Sequence, residues 1–218
     1  MVDFSQARVT MVDTQVRPND VTRLPVIDAM LRVPRHAFVP DALKPMAYAG
    51  ENLPLGTDRV MLEPRTLGKM LDTLAPEPEE VILDIGCGTG YVTALLAAVA
   101  QKVVGVEADA TRVEAANAVL AELGTENATV IAAPLPDGAA AHGPYDAIVI
   151  SGGAVEALPD TLVAQLREGG RVVALFREDN LGVVRLGTCH DGRMTWRDAF
   201  NAGAPLLAEF TRPRGFLF

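Results

Sequence analysis

The chain has 218 residues, of which 49% are hydrophobic and 22% are charged, the composition of a globular protein with enough apolar mass for one core. Its 19 lysine and arginine residues are outnumbered by 28 aspartate and glutamate residues, and this net charge of −9 argues against binding to a nucleic-acid phosphate backbone. No apolar stretch approaches the roughly 20 residues that span a bilayer, so we expect neither nucleic acid nor membrane as a partner. The N-terminus has no export signal, and Cys87 and Cys189 lack metal-ligand spacing. We therefore expect a cytoplasmic protein with reduced cysteines and no metal site.

The first eighty residues are predicted to form helices that are interrupted by prolines. One helix covers residues 24–33, with Asp20 as a candidate N-cap. A second helix covers residues 64–75 and begins with proline, a favourable first residue of a helix. Residues 53–63 between them are predicted to be a loop or a short extended segment. We expect residues 1–80 to form a helical extension that caps the rest of the chain.

From residue 81 onward, short apolar runs alternate with glycine turns and helical stretches. The helical stretches cover residues 91–100, 111–123 and 158–166. The apolar runs show little alternation, as expected for strands that are buried on both faces of a parallel sheet. The sequence therefore predicts an α/β fold, with a doubly wound, mostly parallel, Rossmann-like sheet formed by residues 81–218. The predicted strands cover residues 81–85, 103–106, 129–132, 147–150 and 171–176, with further strands at 183–186 and 216–218 near the sheet edge.

The first predicted strand runs into a loop that carries three glycines and is followed by a helix. An aspartate precedes glycines at alternate positions, D-x-G-x-G-x-G, where the backbone can turn sharply and a ligand can approach without a Cβ in the way. A dinucleotide fingerprint has the different spacing G-x-G-x-x-G. The arrangement instead resembles the cofactor loop of S-adenosylmethionine-dependent methyltransferases. The cofactor-binding residues that this resemblance implies are Asp84, Gly86, Cys87, Gly88, Thr89 and Gly90.

The second predicted strand ends in an acid, Glu107, which lies 17 positions after Gly90. A carboxylate at that strand tip can accept hydrogen bonds from both hydroxyls of a ribose. Glu107 is therefore the predicted ribose ligand, with Ala108 beside it, and S-adenosylmethionine and its product S-adenosylhomocysteine are the predicted ligands. The alternatives are that Glu107 is a solvated acid at a strand end and that the glycine loop binds another ligand or none.

Further motifs of the chain resemble the protein L-isoaspartate O-methyltransferase family over nearly the whole length. They are DAMLRVPRHAFVP at 28–40, AY at 47–48, LPLG at 53–56, PYDAI at 144–148 and QLREGGR at 165–171. The resemblance implies a helical N-terminal extension on a methyltransferase sheet, with S-adenosylmethionine at the strand ends. It also implies transfer of a methyl group to a carboxylate of isoaspartyl residues in damaged proteins. The expected partner is therefore a protein, peptide or small-molecule methyl acceptor.

The segment that follows the LPLG motif departs from the family pattern. The family has Gln-Thr-Ile-Ser-Gln-Pro there, whereas this chain has R-V-M-L-E-P at residues 59–64. Val60 and Leu62 thus replace two hydroxyls that help to hold the acceptor carboxylate in the family. A carboxylate is already ionised at neutral pH, so it needs positioning rather than a general base. Placing it against two aliphatic side chains without new donors costs several kcal/mol in desolvation.

The loss of these hydroxyls leaves three interpretations open. Arg59 or Arg65 supplies the missing donor, with His36 as a further candidate on the acceptor side. Alternatively, the protein methylates a different acceptor. A third interpretation is a non-catalytic relative that binds the cofactor or a partner, although retention of Asp84 and Glu107 argues against it.

A second departure follows the third predicted strand. The family usually has Gly-Asp-Gly there, with the acid near the adenine, and counting back from Pro144 places Pro134 at the position of that aspartate. Adenine would then be held by backbone groups and apolar walls. Asp137 substitutes for the family acid only if the loop takes a different route.

Overall fold

The computed structural model describes residues 3–179 and 181–212, and within these ranges the chain forms a twisted sheet covered by helices and turns. In chain order the strands are β1 (Leu53–Pro54), β2 (Val60–Met61), β3 (Val81–Ile85), β4 (Lys102–Glu107), β5 (Ala128–Ala132), β6 (Tyr145–Val155), β7 (Leu166–Glu178), β8 (Leu181–His190) and β9 (Arg193–Asn201). The helices are α1 (Phe4–Met11), α2 (Leu24–Arg32), α3 (Pro64–Leu74), α4 (Tyr91–Ala97), α5 (Ala110–Glu122) and α6 (Asp160–Val163). Across the described ranges, none of these helices has the length and apolar composition needed to cross a bilayer.

The central sheet has seven strands in the order β5-β4-β3-β6-β7-β8-β9. The pairs from β5 to β7 are parallel, whereas β8 and β9 form an antiparallel extension at one edge. Because the strand order changes direction at β3, right-handed crossovers place the connections on opposite faces of the sheet. The doubly wound, mostly parallel sheet predicted from the sequence is confirmed.

Buried side chains from successive strand residues point alternately into two hydrophobic clusters. On one face, Ile82 of β3 packs in the same cluster as Leu95 of α4 and Leu120 of α5. On the other face, Leu83 packs with Leu162 of α6 and with residues of the short 3-10 turns. A strand with both faces buried has no polar face, which explains the uninterrupted apolar runs in the sequence.

The N-terminal extension shares its core with the sheet. Met30 of α2 and Leu67 of α3 are fully buried and belong to the same cluster as Ile82 and Val173. Burial of each such side chain contributes about 1.5–3 kcal/mol, so the extension is held to the sheet mainly by apolar packing. The division of the chain at residue 80 into a cap and a core stays a prediction.

Two predicted helix features are wrong. Asp20 is not the N-cap of α2: its φ of 62° places it in the left-handed region at the end of the preceding 3-10 turn. The carboxylate of Asp72 on α3 instead accepts hydrogen bonds from the amides of Thr22 and Arg23, just before α2 begins. The helix predicted over 158–166 is only the four-residue α6, because Leu166 already starts β7.

The hairpin of β8 and β9 is the largest element that the sequence reading missed. The prediction of a strand at 183–186 found only the centre of β8, and the predicted strand at 216–218 lies outside the described residues. Asp191 and Gly192 connect β8 to β9, with φ values of 49° and 69°. Two successive residues with positive φ are typical of a type I′ turn, and Asp-Gly is a preferred sequence for it. The signal for this hairpin was therefore present in the chain.

Candidate functional site

The glycine loop lies at the carboxyl end of β3, beside the point where the strand order changes direction. Gly86, Gly88 and Gly90 have φ values of 70°, 56° and 90°, a backbone region that glycine adopts without strain. A Cβ on Gly86 would lie 3.3 Å from the Cα of Gly152, because the loop packs closely against the end region of β6. In open α/β sheets, ligands bind at such a switch point outside the carboxyl ends of the strands.

Asp84 lies beneath the glycine loop and is fully buried. Its Oδ2 accepts a hydrogen bond of 2.7 Å from the Thr93 hydroxyl on α4, and its Oδ1 accepts one from the Ser151 hydroxyl on β6. Burial raises the pKa of Asp84 to about 6, against the opposing effect of these two donors. Asp84 thus positions the loop by joining β3 to α4 and β6, and its direct contact with a cofactor stays a prediction.

The Glu107 carboxylate ends β4 next to the glycine loop, and the side chain has no exposed surface. Both oxygens are shared among several donors: two donate to Oε2 and three donate to Oε1. A carboxylate offers about four lone-pair sites, so its acceptor capacity is used up in this arrangement. The donors, at 2.9–3.2 Å, are Arg59 Nε and the Gly88 amide to Oε2, and the amides of Ala108 and Asp109 with Arg112 Nη2 to Oε1.

Arg59 reaches Glu107 from the hairpin that β1 and β2 form over the carboxyl edge of the sheet. Its guanidinium has no exposed surface and donates to three acceptors: Glu107 Oε2, Glu209 Oε1 at 2.8 Å, and the Asp58 carbonyl at 2.8 Å. Arg59 is therefore committed to internal carboxylates rather than open to an acceptor. Arg112 closes the same network by donating to both oxygens of Asp58, at 3.0 and 2.8 Å.

Cys87 and Thr89, the other residues of the predicted cofactor loop, make contacts within the protein that stabilise the loop. Cys87 is buried, and burial, reinforced by the nearby Asp84 charge, raises the pKa of its thiol well above the usual value. A thiol that stays protonated is a poor nucleophile. We therefore assign Cys87 a packing role, as a small side chain that fills the turn. The Thr89 hydroxyl donates to the Phe38 carbonyl and ties the loop to the N-terminal extension.

The other acceptor-side candidates have partners inside the N-terminal extension. Arg65 donates through Nε to Asn19 Oδ1 at 3.0 Å. His36 stacks on Phe4 with ring centroids 4.1 Å apart, and its Nδ1 lies 2.8 Å from the Tyr48 hydroxyl. Partial burial, with two nearby cations, lowers the pKa of His36 below its ordinary value of 6.5. Arg59, in contrast, lies beside the glycine loop, because it and the Gly88 amide donate to the same oxygen of Glu107.

The aliphatic side chains at the two family hydroxyl positions lie in the same part of the molecule. Leu62 is 1% exposed, and Val60 is half-buried in β2, which runs beside β6. Leu62 therefore contributes packing and no donor. Its main-chain carbonyl accepts a hydrogen bond of 2.8 Å from Arg35, which fixes the backbone at this position.

The loop after β5 offers an apolar wall rather than an acid. Pro134 is exposed, and Asp137 is exposed at the end of a 3-10 turn. The buried Leu135 lies close to the loop, since a Cβ on Gly86 would be 3.5 Å from its Cδ1. Contact of these apolar groups with an adenine stays a prediction. The Asp137 carbonyl accepts a hydrogen bond from Gln165, and among the described residues no side-chain hydrogen bond joins Asp137 to the glycine loop.

Sequence reasoning missed Glu209, Arg112 and Asp58, the other members of the ion network. Arg112 lies on the first turn of α5 and Glu209 lies in a 3-10 turn after β9, so no local motif links them to Glu107. A groove of about 670 Å³ lies elsewhere, between residues of β7, β8 and β9 on one side and α6 with the segment before it on the other, and its lining includes neither the glycine loop nor Glu107. The described residues contain no cluster of histidine, cysteine and acidic side chains that could hold a metal ion.

A doubly wound sheet with a glycine loop after one central strand and an acid at the tip of the next is the architecture of the Rossmann-like methyltransferases. The family model described as protein-L-isoaspartate(D-aspartate) O-methyltransferase matches residues 8–198. The chain belongs to the protein-L-isoaspartate O-methyltransferase family.

Individual relatives and solved structures agree with this assignment. A protein-L-isoaspartate O-methyltransferase of Syntrophus aciditrophicus is 38% identical over 78% of this chain and 78% of its own length. One of Trichlorobacter lovleyi is 34% identical over 89% of this chain and 90% of its own. A Plasmodium falciparum family structure in complex with S-adenosyl-L-homocysteine has a TM-score of 0.79 at 20% identity, covering 93% of this chain and 98% of that one. A second solved methyltransferase of this name has a TM-score of 0.76 at 22% identity, and the alignment covers 91% of this chain and 64% of that one. These two structures support the fold.

Proposed function

We propose that the protein is an S-adenosylmethionine-dependent methyltransferase that transfers a methyl group to a carboxylate of isoaspartyl residues in damaged proteins. The observation that carries this proposal is the placement of the glycine loop and Glu107 at the strand-order switch point, in a chain of this family. Several relatives bear the name of that activity, and a structural neighbour contains S-adenosyl-L-homocysteine.

The residues of the site fit an adenosyl amino acid. The loop glycines leave main-chain surface on which an amino acid group can rest. The Glu107 carboxylate is the acceptor type that ribose hydroxyls need, once one of its five present donors has left. Leu135 supplies an apolar contact beside Gly86. When bound, S-adenosylmethionine supplies an activated methyl group for direct transfer. The residues that we propose to hold it are Asp84, Gly86, Cys87, Gly88, Thr89, Gly90, Glu107 and Ala108.

The chemistry requires no general base on the protein, because a carboxylate acceptor is ionised at neutral pH. The task of the chain is to exclude water and to hold the carboxylate in line with the methyl group. We propose that residues 1–80 form the acceptor-side cap, with Arg65 and His36 as candidate contacts and Arg59 as a further candidate only after it has left Glu107. A protein or peptide acceptor and a cytoplasmic location are parts of the same proposal.

A second candidate function is methylation of a different acceptor. The observation that favours it is the pair of aliphatic side chains at the family hydroxyl positions, Val60 and the buried Leu62. A desolvated carboxylate against these side chains lacks the two donors that the family uses, whereas a less polar acceptor group would not need them.

Transfer of labelled methyl groups to an isoaspartyl peptide tests the proposal, with the matched aspartyl peptide as the substrate control. The expected result is transfer to the isoaspartyl peptide alone. The paired variant Val60→Thr with Leu62→Ser restores the family hydroxyls, and Val60→Ala with Leu62→Ala removes the same bulk without adding a donor. Transfer that appears only in the Thr and Ser variant favours the different acceptor for the natural chain. Failure of every variant to modify any acceptor, including those in a cell extract, contradicts a methyltransferase activity.

A further inference from the structure

Arg59 lies where a cofactor would have to bind if Glu107 is its ribose ligand. The guanidinium of Arg59 donates to Glu107 Oε2 at 3.1 Å, and both side chains have no exposed surface. With five donors on one carboxylate, ribose hydroxyls would be a sixth and a seventh. At least one present donor must therefore leave before Glu107 can accept from a ribose.

Two of the five donors, Arg59 and Arg112, are side chains that can leave without a change in the sheet, and of these two it is Arg59 that shares Oε2 with the Gly88 amide of the glycine loop. Three of the other donors are main-chain amides, which are fixed by the glycine loop and by the turn between β4 and α5. Arg59 instead belongs to the short hairpin over the site, whose tip at residues 56–58 is exposed. Movement of this hairpin would also withdraw Leu55, whose Cδ1 lies 2.8 Å from the position of a Cβ on Gly88 and so covers that glycine.

The closed arrangement is held by ion pairs on two sides of Arg59. Its Nε donates to Glu107 Oε2 at 3.1 Å, and its Nη2 donates to Glu209 Oε1 at 2.8 Å. The Arg59 side chain has no exposed surface, so both contacts are made within the protein. The latch is defined here as Arg59 with Glu107 and Glu209.

We propose that Arg59 is an internal competitor of the cofactor: the latch closes the adenosyl site, and S-adenosylmethionine or S-adenosylhomocysteine binds only when the hairpin of residues 53–61 releases Glu107. This inference rests on the proposed function and adds a regulatory step to it. The apparent association constant for the cofactor is the intrinsic association constant multiplied by the fraction of molecules in which the latch is open. A latch that is closed in about 90% of the molecules weakens apparent binding about tenfold, and one closed in about 99% weakens it about a hundredfold.

Calorimetric titration with S-adenosylhomocysteine tests the latch without any methyl transfer. This ligand lacks the sulfonium charge, so removal of an arginine does not favour it through simple charge attraction. The variant Arg59→Gln opens the latch and leaves the Gly88 amide as the single donor to Glu107 Oε2, so that one acceptor site of that oxygen is free for a ribose hydroxyl. We expect it to bind at least about tenfold more tightly than the natural chain. Glu209→Gln loosens one side of Arg59 and is expected to give a smaller gain.

A matched control is Arg185→Gln, which removes an arginine that also pairs with two acids, Glu178 and Asp198, near the edge of the sheet. Its affinity for S-adenosylhomocysteine is expected to equal that of the natural chain. Circular dichroism of each variant checks that the fold is retained, and Glu209→Gln provides a second test if Arg59→Gln does not fold.

The outcomes separate the latch from the proposed function. If the natural chain binds S-adenosylhomocysteine and Arg59→Gln binds it no more tightly, the latch is refuted while the cofactor assignment stands. An unchanged affinity in Glu209→Gln removes Glu209 from the latch. If neither the natural chain nor Arg59→Gln binds, the cofactor assignment fails and the latch fails with it.

Discussion

Asp84→Asn isolates the energetic effect of a carboxyl group that the fold buries beneath the glycine loop. Burial raises the pKa of Asp84 from its ordinary 3.8 to about 6. Between these pH values the folded state binds more protons than the unfolded state, so the free energy of unfolding decreases as the pH rises through this window. A difference of about 2 pKa units corresponds to about 3 kcal/mol at about 1.4 kcal/mol per unit. The substitution preserves the shape of the side chain and removes this titration.

Urea denaturation followed by circular dichroism measures the effect at several pH values between 4 and 7.5. We expect the stability of the natural chain relative to Asp84→Asn to fall by up to about 3 kcal/mol over that range. The control Asp41→Asn concerns an exposed acid whose pKa is lowered by a hydrogen bond from Lys44, so its titration lies below the ordinary 3.8 and we expect nearly unchanged pH dependence between pH 4 and 7.5. Identical pH dependence in the natural chain and in Asp84→Asn would refute the argument.

Two further predictions concern the close packing of Gly152 against the glycine loop and the pKa of His36 in the N-terminal extension. Gly152→Ala places a Cβ against the main-chain carbonyl oxygen of Gly86, so we expect a loss of stability above about 2 kcal/mol in urea denaturation. Gly203→Ala, where a Cβ meets nothing within 4 Å, is the neutral control, and equal effects of the two would contradict the packing. Nuclear magnetic resonance is expected to give a pKa of His36 below 6.5, because burial and two nearby cations disfavour the imidazolium. Phe4→Ala exposes the ring and should raise that pKa, whereas a midpoint at or above 6.5 in the natural chain would contradict the environment described here.

The parallel part of the fold was predictable because its signals are local. Each of the runs 81–85, 103–106, 129–132, 147–150 and 171–176 is an apolar segment that lies within a strand of the structure. The glycine loop was equally readable, since three positive φ values within five residues require glycine. The β8–β9 hairpin also had a local signal in Asp191-Gly192, and only the weak apolar pattern of β9 concealed it.

The charge network over the site was not predictable, because it depends on contacts between distant parts of the chain. Arg59 and Glu107 are 48 positions apart, and Arg59 and Glu209 are 150 positions apart. A single arginine in a sequence carries no mark of its partner, so Arg59 was interpreted as a donor to an acceptor carboxylate. The fold instead supplies carboxylates from β4 and from the turn after β9, and it gives Arg59 a role that spacing along the chain does not encode.

The central claim is that the glycine loop and Glu107 form the cofactor site, and calorimetry in a background without the latch tests it most directly. Arg59→Gln is compared with the double variant Arg59→Gln with Glu107→Gln, so that Arg59 cannot change partners between the two proteins. We expect S-adenosylhomocysteine to bind Arg59→Gln at one site and to bind the double variant at least about tenfold more weakly, since hydrogen bonds to a charged acceptor contribute about 1.5–3 kcal/mol. Equal binding by the two proteins, or no binding by either, would contradict the assignment of Glu107 and the glycine loop as the cofactor site.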